Sequence, residues 1–358
     1  MDCGRSIKRQ HRAEGRARHQ GDKVNNKNTR AIRAQRVLAI LLLLIAIPGN
    51  TAPTTPVVQL RDGEHVVAPS VQVACVGKSR DAALISQWNG ADSLDWQEVD
   101  SGLFNAGFTS DICWFRLTLE NATQADRLWY LLIDYPLLEI IELGVHIAEQ
   151  PLQLFRAGTG VPFNEWPTHY HSPAFPIELE AGQSAELFWK VQSPHALQVP
   201  LSVLTPEQFG QQRDLNLLIH ALFFGGMLVM VLYNLFLFFS VGEKSYLFYV
   251  YWACSIGFFQ VVLHGFSQRF LWPDSVIANL YAMDVVLCLI VLVPGWFTRE
   301  FLDLEHEDPF CDRLLRPFMY IGFLLLAAVP FADRYLLVPL SALMIMIEVA
   351  VIQLVSLK

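Results

Sequence analysis

A polar, aromatic segment near the middle of the chain contains the residue types that bind small ligands. Trp166, His169, Tyr170 and His171 crowd into one short stretch beside Glu165, and no strand-like or helical period runs through them. An aromatic ring with a few polar groups can orient a ligand such as a sugar by stacking and hydrogen bonding. We predict that this segment borders a ligand-binding surface. The competing interpretation is that its rings cover the edge of a domain or pack on outer membrane loops.

Metal ligation is the second chemistry that these residue types could support. His169 and His171 would share one face of an extended chain, but the sequence supplies no third ligand nearby, and the six cysteines lack metal-binding spacing. We therefore predict no metal site and no cofactor. Cys75 and Cys113 could form a disulfide or remain two free thiols, because sequence does not show whether their Cα atoms approach each other.

Three polar side chains stand inside apolar runs of the C-terminal half. Asp284 and Glu348 lie deep in two of these runs, and Asn234 lies in a third. Charged groups at such depth are costly and usually face a bundle interior or a cavity. We interpret the two acids either as a hydrogen-bonded switch or ligand pocket, or as contacts between helices that need no ligand. For Asn234 the helix contact is the favoured interpretation.

Catalytic motifs are absent from the sequence. There is no G-x-S-x-G elbow, no phosphate-binding loop, no dinucleotide-binding glycine pattern and no H-E-x-x-H pair. The one acid-rich stretch, Glu300 to Asp312, is typical of solvated charge in a loop between helices. We predict no catalytic residues and no enzyme activity for this chain.

Two unlike regions must position these residues. Of the 358 residues 53% are hydrophobic, and the mean hydropathy of +0.33 is too high for an ordinary soluble enzyme. Apolar stretches of membrane-spanning length begin at Leu215, whereas the preceding region is mixed. The net charge of −8 sums a basic N-terminal segment and an acidic remainder. Because the basic segment has no interleaved aromatic residues, we predict no nucleic-acid partner.

The N-terminal segment is predicted to direct export. Residues 1–36 are basic, and the unbroken apolar run Val37–Ile47 is ended by Pro48 and Gly49. About 11 residues are too few for a comfortable membrane span, but they suit the apolar region of a secretory signal. We predict a basic cytoplasmic segment at 1–36 and a signal peptide or signal anchor at 37–52.

Residues 57–210 are predicted to form a periplasmic β-sandwich of the jelly-roll kind. Phe115, Leu117 and Leu119 alternate with polar residues, and the same period of two recurs in several short segments separated by turn signals. That alternation is typical of strands with one buried and one wet face. Many short antiparallel strands over such a length favour two packed sheets.

Residues 213–358 are predicted to form a multi-pass bundle in a bacterial inner membrane. Its loops carry more Lys and Arg on one side, which the positive-inside rule assigns to the cytoplasm. The cytoplasmic cations are Lys244, Arg299, Arg313, Arg316 and Lys358, and the outer ones are Arg269 and Arg334. The five predicted spans are Leu215–Phe239, Tyr246–Phe266, Ser275–Phe297, Phe318–Ala332 and Leu336–Ser356.

Motifs in both regions resemble a family of bacterial membrane receptors. The β region contains Asp134-Tyr135-Pro136-Leu137-Leu138, and the membrane region contains Ser245-Tyr246-Leu247-Phe248-Tyr249 and Thr298-Arg299-Glu300-Phe301-Leu302. In these motifs the chain resembles the 7TMR-DISM receptors, seven-transmembrane receptors with diverse intracellular signalling modules and a second type of extracellular domain. The resemblance implies a carbohydrate-binding-like sensor domain and a cytoplasmic output module of the diguanylate cyclase or histidine kinase type.

The residues and the resemblance together predict a sensory receptor in signal transduction. Its periplasmic domain would bind a small ligand, and a truncated seven-helix region would relay the signal to an output module that is absent from this chain. The expected partners are the lipid bilayer, the ligand and a cytoplasmic signalling protein, and a homodimer is left open. The alternative is a transporter or channel component that uses Asp284 and Glu348, which the lack of an internal repeat disfavours.

Overall fold

The protein consists of a β-sandwich followed by a bundle of helices. The computed structural model describes residues 55–67, 69–77, 94–99 and 103–357. The predicted basic segment at 1–36 and the signal sequence at 37–52 lie outside the described residues. The predicted fold class, a β-sandwich followed by a membrane helix bundle, is confirmed.

The described residues of the sandwich form two sheets. The larger sheet has the strand order β4-β3-β6-β11-β8-β9, with β1 paired in parallel with β6, and the smaller has the order β10-β7-β12-β2, with β5 paired with β12. The strands are β1 Val57–Leu60, β2 Val66–Val67, β3 Val71–Val76, β4 Gln97–Val99, β5 Leu103–Gly107, β6 Ile112–Asn121, β7 Arg127–Ile133, β8 Ile140–Ile147, β9 Gln153–Ala157, β10 Ala174–Leu179, β11 Ser184–Gln192 and β12 Leu197–Leu204.

The core lies between the two sheets and is built from the alternating apolar positions. Phe115, Leu117 and Leu119 of β6 are fully buried, as the period of two predicts. The ring of Phe115 stacks on Trp189 of the same sheet at 5.3 Å and meets Phe104 of the other sheet at 5.4 Å. Burial of each such side chain stabilises the fold by about 1.5–3 kcal/mol, so this layer holds the sheets together.

A disulfide joins two neighbouring strands of the larger sheet. Cys75 of β3 and Cys113 of β6 face each other in the strand register, with Cα atoms 4.0 Å apart. Trp114, the next residue, points to the opposite face, where it stacks on Phe188 at 4.8 Å. The bond therefore ties β3, the strand next to the edge strand β4, to β6 in the middle of the sheet.

Six helices follow the sandwich. Four of the described helices, α1, α2, α3 and α6, are long and apolar enough to cross a membrane. The helices are α1 Pro206–Val241, α2 Lys244–Leu263, α3 Val276–Phe301, α4 Leu304–Glu307, α5 Pro309–Ala328 and α6 Arg334–Ser356, with a π-helical turn at Ser267–Leu271 between α2 and α3.

Two helices begin earlier than the membrane spans predicted for them. The first span was predicted from Leu215 and the bundle from residue 213, but α1 begins at Pro206, directly after the last strand. A capping box explains the early start, because the Thr205 side chain accepts from the Gln208 backbone N–H and the Gln208 side chain accepts from the Thr205 N–H. The fourth predicted span, Phe318–Ala332, is the helix α5, which starts earlier and carries charged residues in its first half.

Candidate functional site

The sandwich contacts the helix bundle through the loops at one of its ends. These are residues 134–139 between β7 and β8, residues 158–173 between β9 and β10, and residues 193–196 between β11 and β12, together with Gln192 at the end of β11. They pack on the connection between α2 and α3, residues 264–275, and on the start of α6. We call this contact region the joint.

An apolar anchor forms the first part of the joint. Leu137 leaves the sandwich and packs in one cluster with Val262 of α2 and with Ala282, Met283 and Val286 of α3. The Leu137 side chain is buried there, so its burial stabilises the protein by about as much as the burial of an apolar residue in the sandwich core. The motif around Leu137 is therefore a docking element.

A buried ion cluster forms the second part of the joint. Arg334, the first residue of α6, donates from Nε to Oδ2 of Asp284 in α3 at 2.8 Å. Its Nη1 donates to Oε2 of Glu139 of the sandwich at 3.2 Å, and its Nη2 donates to the backbone oxygen of Leu280 at 2.6 Å. One guanidinium thus holds a sandwich loop and two membrane helices. Because the fork of donors is rigid, its geometry fixes their relative positions.

A histidine completes the ion cluster from the sandwich side. Nε2 of His195 lies 3.5 Å from Oδ1 of Asp284, and both groups are buried. These two atoms are not aligned for a hydrogen bond. Within the described part of the chain neither of them has a hydrogen-bond partner. The imidazole and the carboxylate are therefore in contact without a hydrogen bond. Nearby, Gln192 donates from Nε2 to the hydroxyl of Tyr335 in α6 at 3.1 Å.

A second polar contact ties the sandwich to α1 and α2. The Tyr170 hydroxyl accepts from Nδ2 of Asn216 in α1 at 3.0 Å, and the His171 ring lies 5.2 Å from the ring of Phe266 after α2. Burial lowers the pKa of His171 to about 3, so this imidazole is neutral near pH 7. Burial likewise raises the pKa of Tyr170 to about 12. Both groups therefore act as uncharged packing and hydrogen-bonding groups.

A glycine allows the closest backbone approach in the joint. Gly265, which follows α2, has φ +71°, and a Cβ there would lie 2.3 Å from the carbonyl oxygen of His171 and 2.8 Å from Cβ of Pro136. No other residue type fits this position without displacing the sandwich.

The five residues predicted to border a ligand surface have different surroundings, and their role in binding stays a prediction. Trp166 belongs to the sandwich core and donates from Nε1 to the Val161 oxygen at 3.4 Å, and Tyr170 and His171 are buried in the joint. Glu165 and His169 are exposed, and the His169 ring lies 5.7 Å from that of Phe163. The sequence showed a polar loop without periodicity, but the helices that cover this loop come from a distant part of the chain.

The three intramembrane polar residues have different surroundings. Asp284 belongs to the joint, whereas Glu348 of α6 is buried beside Gly295 of α3. Asn234 donates from Nδ2 to the Met230 oxygen of its own helix at 2.8 Å. This hydrogen bond lies within α1, and the predicted contact of Asn234 with another helix stays a prediction.

Sequence reasoning missed three members of the ion cluster. Arg334 was assigned to an outer loop, and Glu139 and His195 were not singled out. The available signal was weak. Arg334 stands immediately before an apolar run and has no partner in its own helix, and such an arginine needs a carboxylate elsewhere. The sequence distances from Arg334 to Glu139 and Asp284, 195 and 50 residues, hid the partners.

A polar cavity lies at the end of the sandwich opposite the joint. It has a volume of about 400 Å³ and lies between the two sheets. Side chains from the ends of β7 and β10 and from the turns next to β8 and β11 line it, namely Asp126, Arg127, Leu128, Gln150, Gln153, Glu178, Leu179, Glu180 and Gln183. Among the described residues no group of three or more His, Cys, Asp or Glu side chains could hold a metal ion.

A folded β-domain fixed to membrane helices by an apolar anchor and an ion cluster defines a membrane protein with a sensor-type domain. Residues 80–205 match the model of the 7TMR-DISM extracellular domain 2, and residues 216–358 match the model of the 7TM region with diverse intracellular signalling. The chain belongs to the 7TMR-DISM family and is thus a membrane sensory receptor with an extracellular-type domain. No curated protein matches the sequence.

Proposed function

We propose that this receptor sits in the bacterial inner membrane, binds a small ligand with its periplasmic sandwich, and passes the change through the joint to a cytoplasmic output module. The observation that carries the proposal is the guanidinium of Arg334, which bonds Glu139 of the sandwich and Asp284 of α3 at once. A movement of the sandwich loop must either move α3 and α6 or break the partly buried ion pair between Arg334 and Glu139. A contact that couples the sandwich to the helices in this way is what a relay requires.

The polar cavity at the far end of the sandwich is the proposed ligand site. Its volume of about 400 Å³ suits a small molecule, and its amide and carboxylate groups suit the hydroxyl groups of a carbohydrate. Four strands, β7, β8, β10 and β11, have one end at this cavity and the other at the joint. At about 3.3 Å per residue, the seven residues of β7 span roughly 23 Å between the two.

Signalling requires that the ligand bind one state of the joint more tightly than the other. A ligand with equal affinity for both states would shift nothing. Because the cavity is lined from both sheets, closure around a ligand would change how the sheets sit on each other, and hence the positions of residues 134–139. The transporter alternative gains no support from Asp284, whose charge is balanced by Arg334.

Ligand binding to the native chain is expected to change amide hydrogen exchange in residues 134–139. The variant Gln153→Ala is expected to bind the ligand more weakly. The experiment titrates the purified chain in nanodiscs with mono- and disaccharides by calorimetry and then measures exchange. Loss of an amide contact of about 1 kcal/mol should weaken binding roughly fivefold. The matched control is Gln97→Ala, an exposed glutamine on β4, which should bind normally. Binding that leaves exchange in the joint unchanged would refute the relay, and equal effects of the two variants would refute the site.

The orientation is expected to place Glu180 outside the cytoplasm and Glu305 inside it, in line with the distribution of cations between the loops. Glu180→Cys and Glu305→Cys are each made in a chain whose Cys3, Cys254, Cys288 and Cys311 are serine. A membrane-impermeant maleimide should label the first variant in intact spheroplasts and the second only after the membrane is opened. The opposite pattern would reverse the assignment.

A further inference from the structure

An apolar cavity of about 300 Å³ opens between α1 and α2 near the joint. Leu217, Ala221 and Phe224 of α1 form one wall, Val261 of α2 forms the second, and Phe266 forms part of the third. His220 is the one polar residue in its lining. A cavity with this lining accepts hydrocarbon and offers little to a polar ligand.

The position of the cavity along α1 places it within the bilayer. Arg213 and Asp214 are the last charged residues before the apolar run of α1, and the cavity begins at Leu217. At 1.5 Å per residue, Leu217 to Phe224 extend over roughly 11 Å of the helix. The hydrocarbon core is about 30 Å thick, so this depth corresponds to the leaflet on the sandwich side. The cavity therefore opens to acyl chains.

A cation lies next to the cavity where a lipid headgroup would be. Arg269 belongs to the π-helical turn, and its guanidinium carbon lies 4.9 Å from the centroid of the Phe270 ring, another wall residue. Within the described part of the chain Arg269 forms no ion pair. A guanidinium so placed favours a phosphate, which it can bind with two parallel hydrogen bonds.

The walls of the cavity also contact the joint. The ring of Phe266 lies 5.2 Å from that of His171 and 4.9 Å from that of His220. Asn216, one residue before the cavity begins, bonds the Tyr170 hydroxyl. An occupant that separates α1 from α2 would therefore change the contact between α1 and the sandwich.

We propose that this cavity binds one acyl chain of an anionic phospholipid from the sandwich-side leaflet, with its phosphate on Arg269, and that its occupancy sets how firmly α1 is held against the sandwich. The inference does not rest on the carbohydrate ligand proposed above. It makes the receptor sensitive to membrane composition as well as to a soluble ligand.

The test uses the full chain in nanodiscs and spin-labelled lipids, with the immobilised lipid fraction measured by electron paramagnetic resonance. The native chain should immobilise phosphatidylglycerol in preference to phosphatidylcholine. Ala221→Phe fills the cavity and should weaken this binding roughly tenfold, because several buried methylene groups are lost. The matched control, Ala350→Phe on the exposed face of α6, should bind as the native chain does.

The headgroup is tested separately with Arg269→Gln, which should weaken phosphatidylglycerol binding roughly fivefold and leave phosphatidylcholine unaffected. The matched control for Arg269→Gln is Arg213→Gln, which replaces an exposed arginine beside Asp214. If Ala221→Phe does not fold, Val261→Phe fills the same cavity from α2. Native binding by the folded cavity variant, equal binding of the two lipids, or equal effects of the two arginine variants would overturn the proposal.

Discussion

Replacing Arg334 with glutamine is expected to lower the free energy of unfolding by about 3–5 kcal/mol. The change leaves the carboxylate of Asp284 buried without its charged partner, and removing one member of a buried pair has a cost of this order. It also removes the bond to Glu139, so the sandwich should separate from the bundle more readily. Thermal unfolding in detergent and limited proteolysis of residues 134–139 measure the two effects.

An exposed arginine provides the matched control for this variant. Arg156 pairs with Glu142 at 3.2 Å on the sandwich surface, so Arg156→Gln should cost less than about 1 kcal/mol. The double variant Arg334→Gln with Asp284→Asn should recover part of the stability, because no uncompensated charge then remains buried. Equal losses for the two arginine variants, or no recovery in the double variant, would contradict the ion cluster as the element that holds the joint.

Replacing Gly265 with alanine is expected to separate the sandwich from the bundle. The new Cβ would lie 2.3 Å from the carbonyl oxygen of His171, and both clashing partners are constrained by backbone. The positive φ of +71° adds a left-handed penalty of about 1–2 kcal/mol. Together with overpacking of about 1–3 kcal/mol, the total loss of stability should exceed about 2 kcal/mol.

A second glycine separates the steric part from the conformational part. Gly182 has nearly the same φ, +74°, and a Cβ there meets nothing within 4 Å. Gly182→Ala should therefore lose only the stability that the left-handed backbone conformation costs. Trypsin should cleave the joint of this variant no faster than that of the native chain. If the two variants lose stability equally, the close approach at Gly265 does not govern docking.

The alternation of apolar residues was sufficient to predict the sandwich. Phe115, Leu117 and Leu119 are buried because a strand sends successive side chains to opposite faces, whatever the rest of the chain does. Four of the five predicted membrane spans were equally clear, since a span of hydrocarbon demands a long apolar run. The start of the helix α1 could not be read from its apolar run, because its first turns are polar and only the capping box at Thr205 marks them.

The candidate site was predictable only in part. Asp284 could be singled out because a carboxylate inside an apolar run must have a compensating group. The identity of that group could not be deduced, because Arg334 and Glu139 are distant in sequence and belong to different domains. The burial of Trp166 was not predictable for the opposite reason: its polar neighbours suggested exposure, but the core of the sandwich extends into that loop.

The sequence by itself determined the two folded parts of this receptor, since periodicity and hydropathy are local properties that act on each segment separately. Only the tertiary structure decided how the parts meet. Leu137, Arg334 and Gly265 acquire their roles from surfaces that distant segments bring together, and no local pattern encodes such a surface. Burial at the joint makes each charge of the ion cluster depend on its partners for stabilisation. This stabilisation arises only when the sandwich loop, α3 and α6 are all in place.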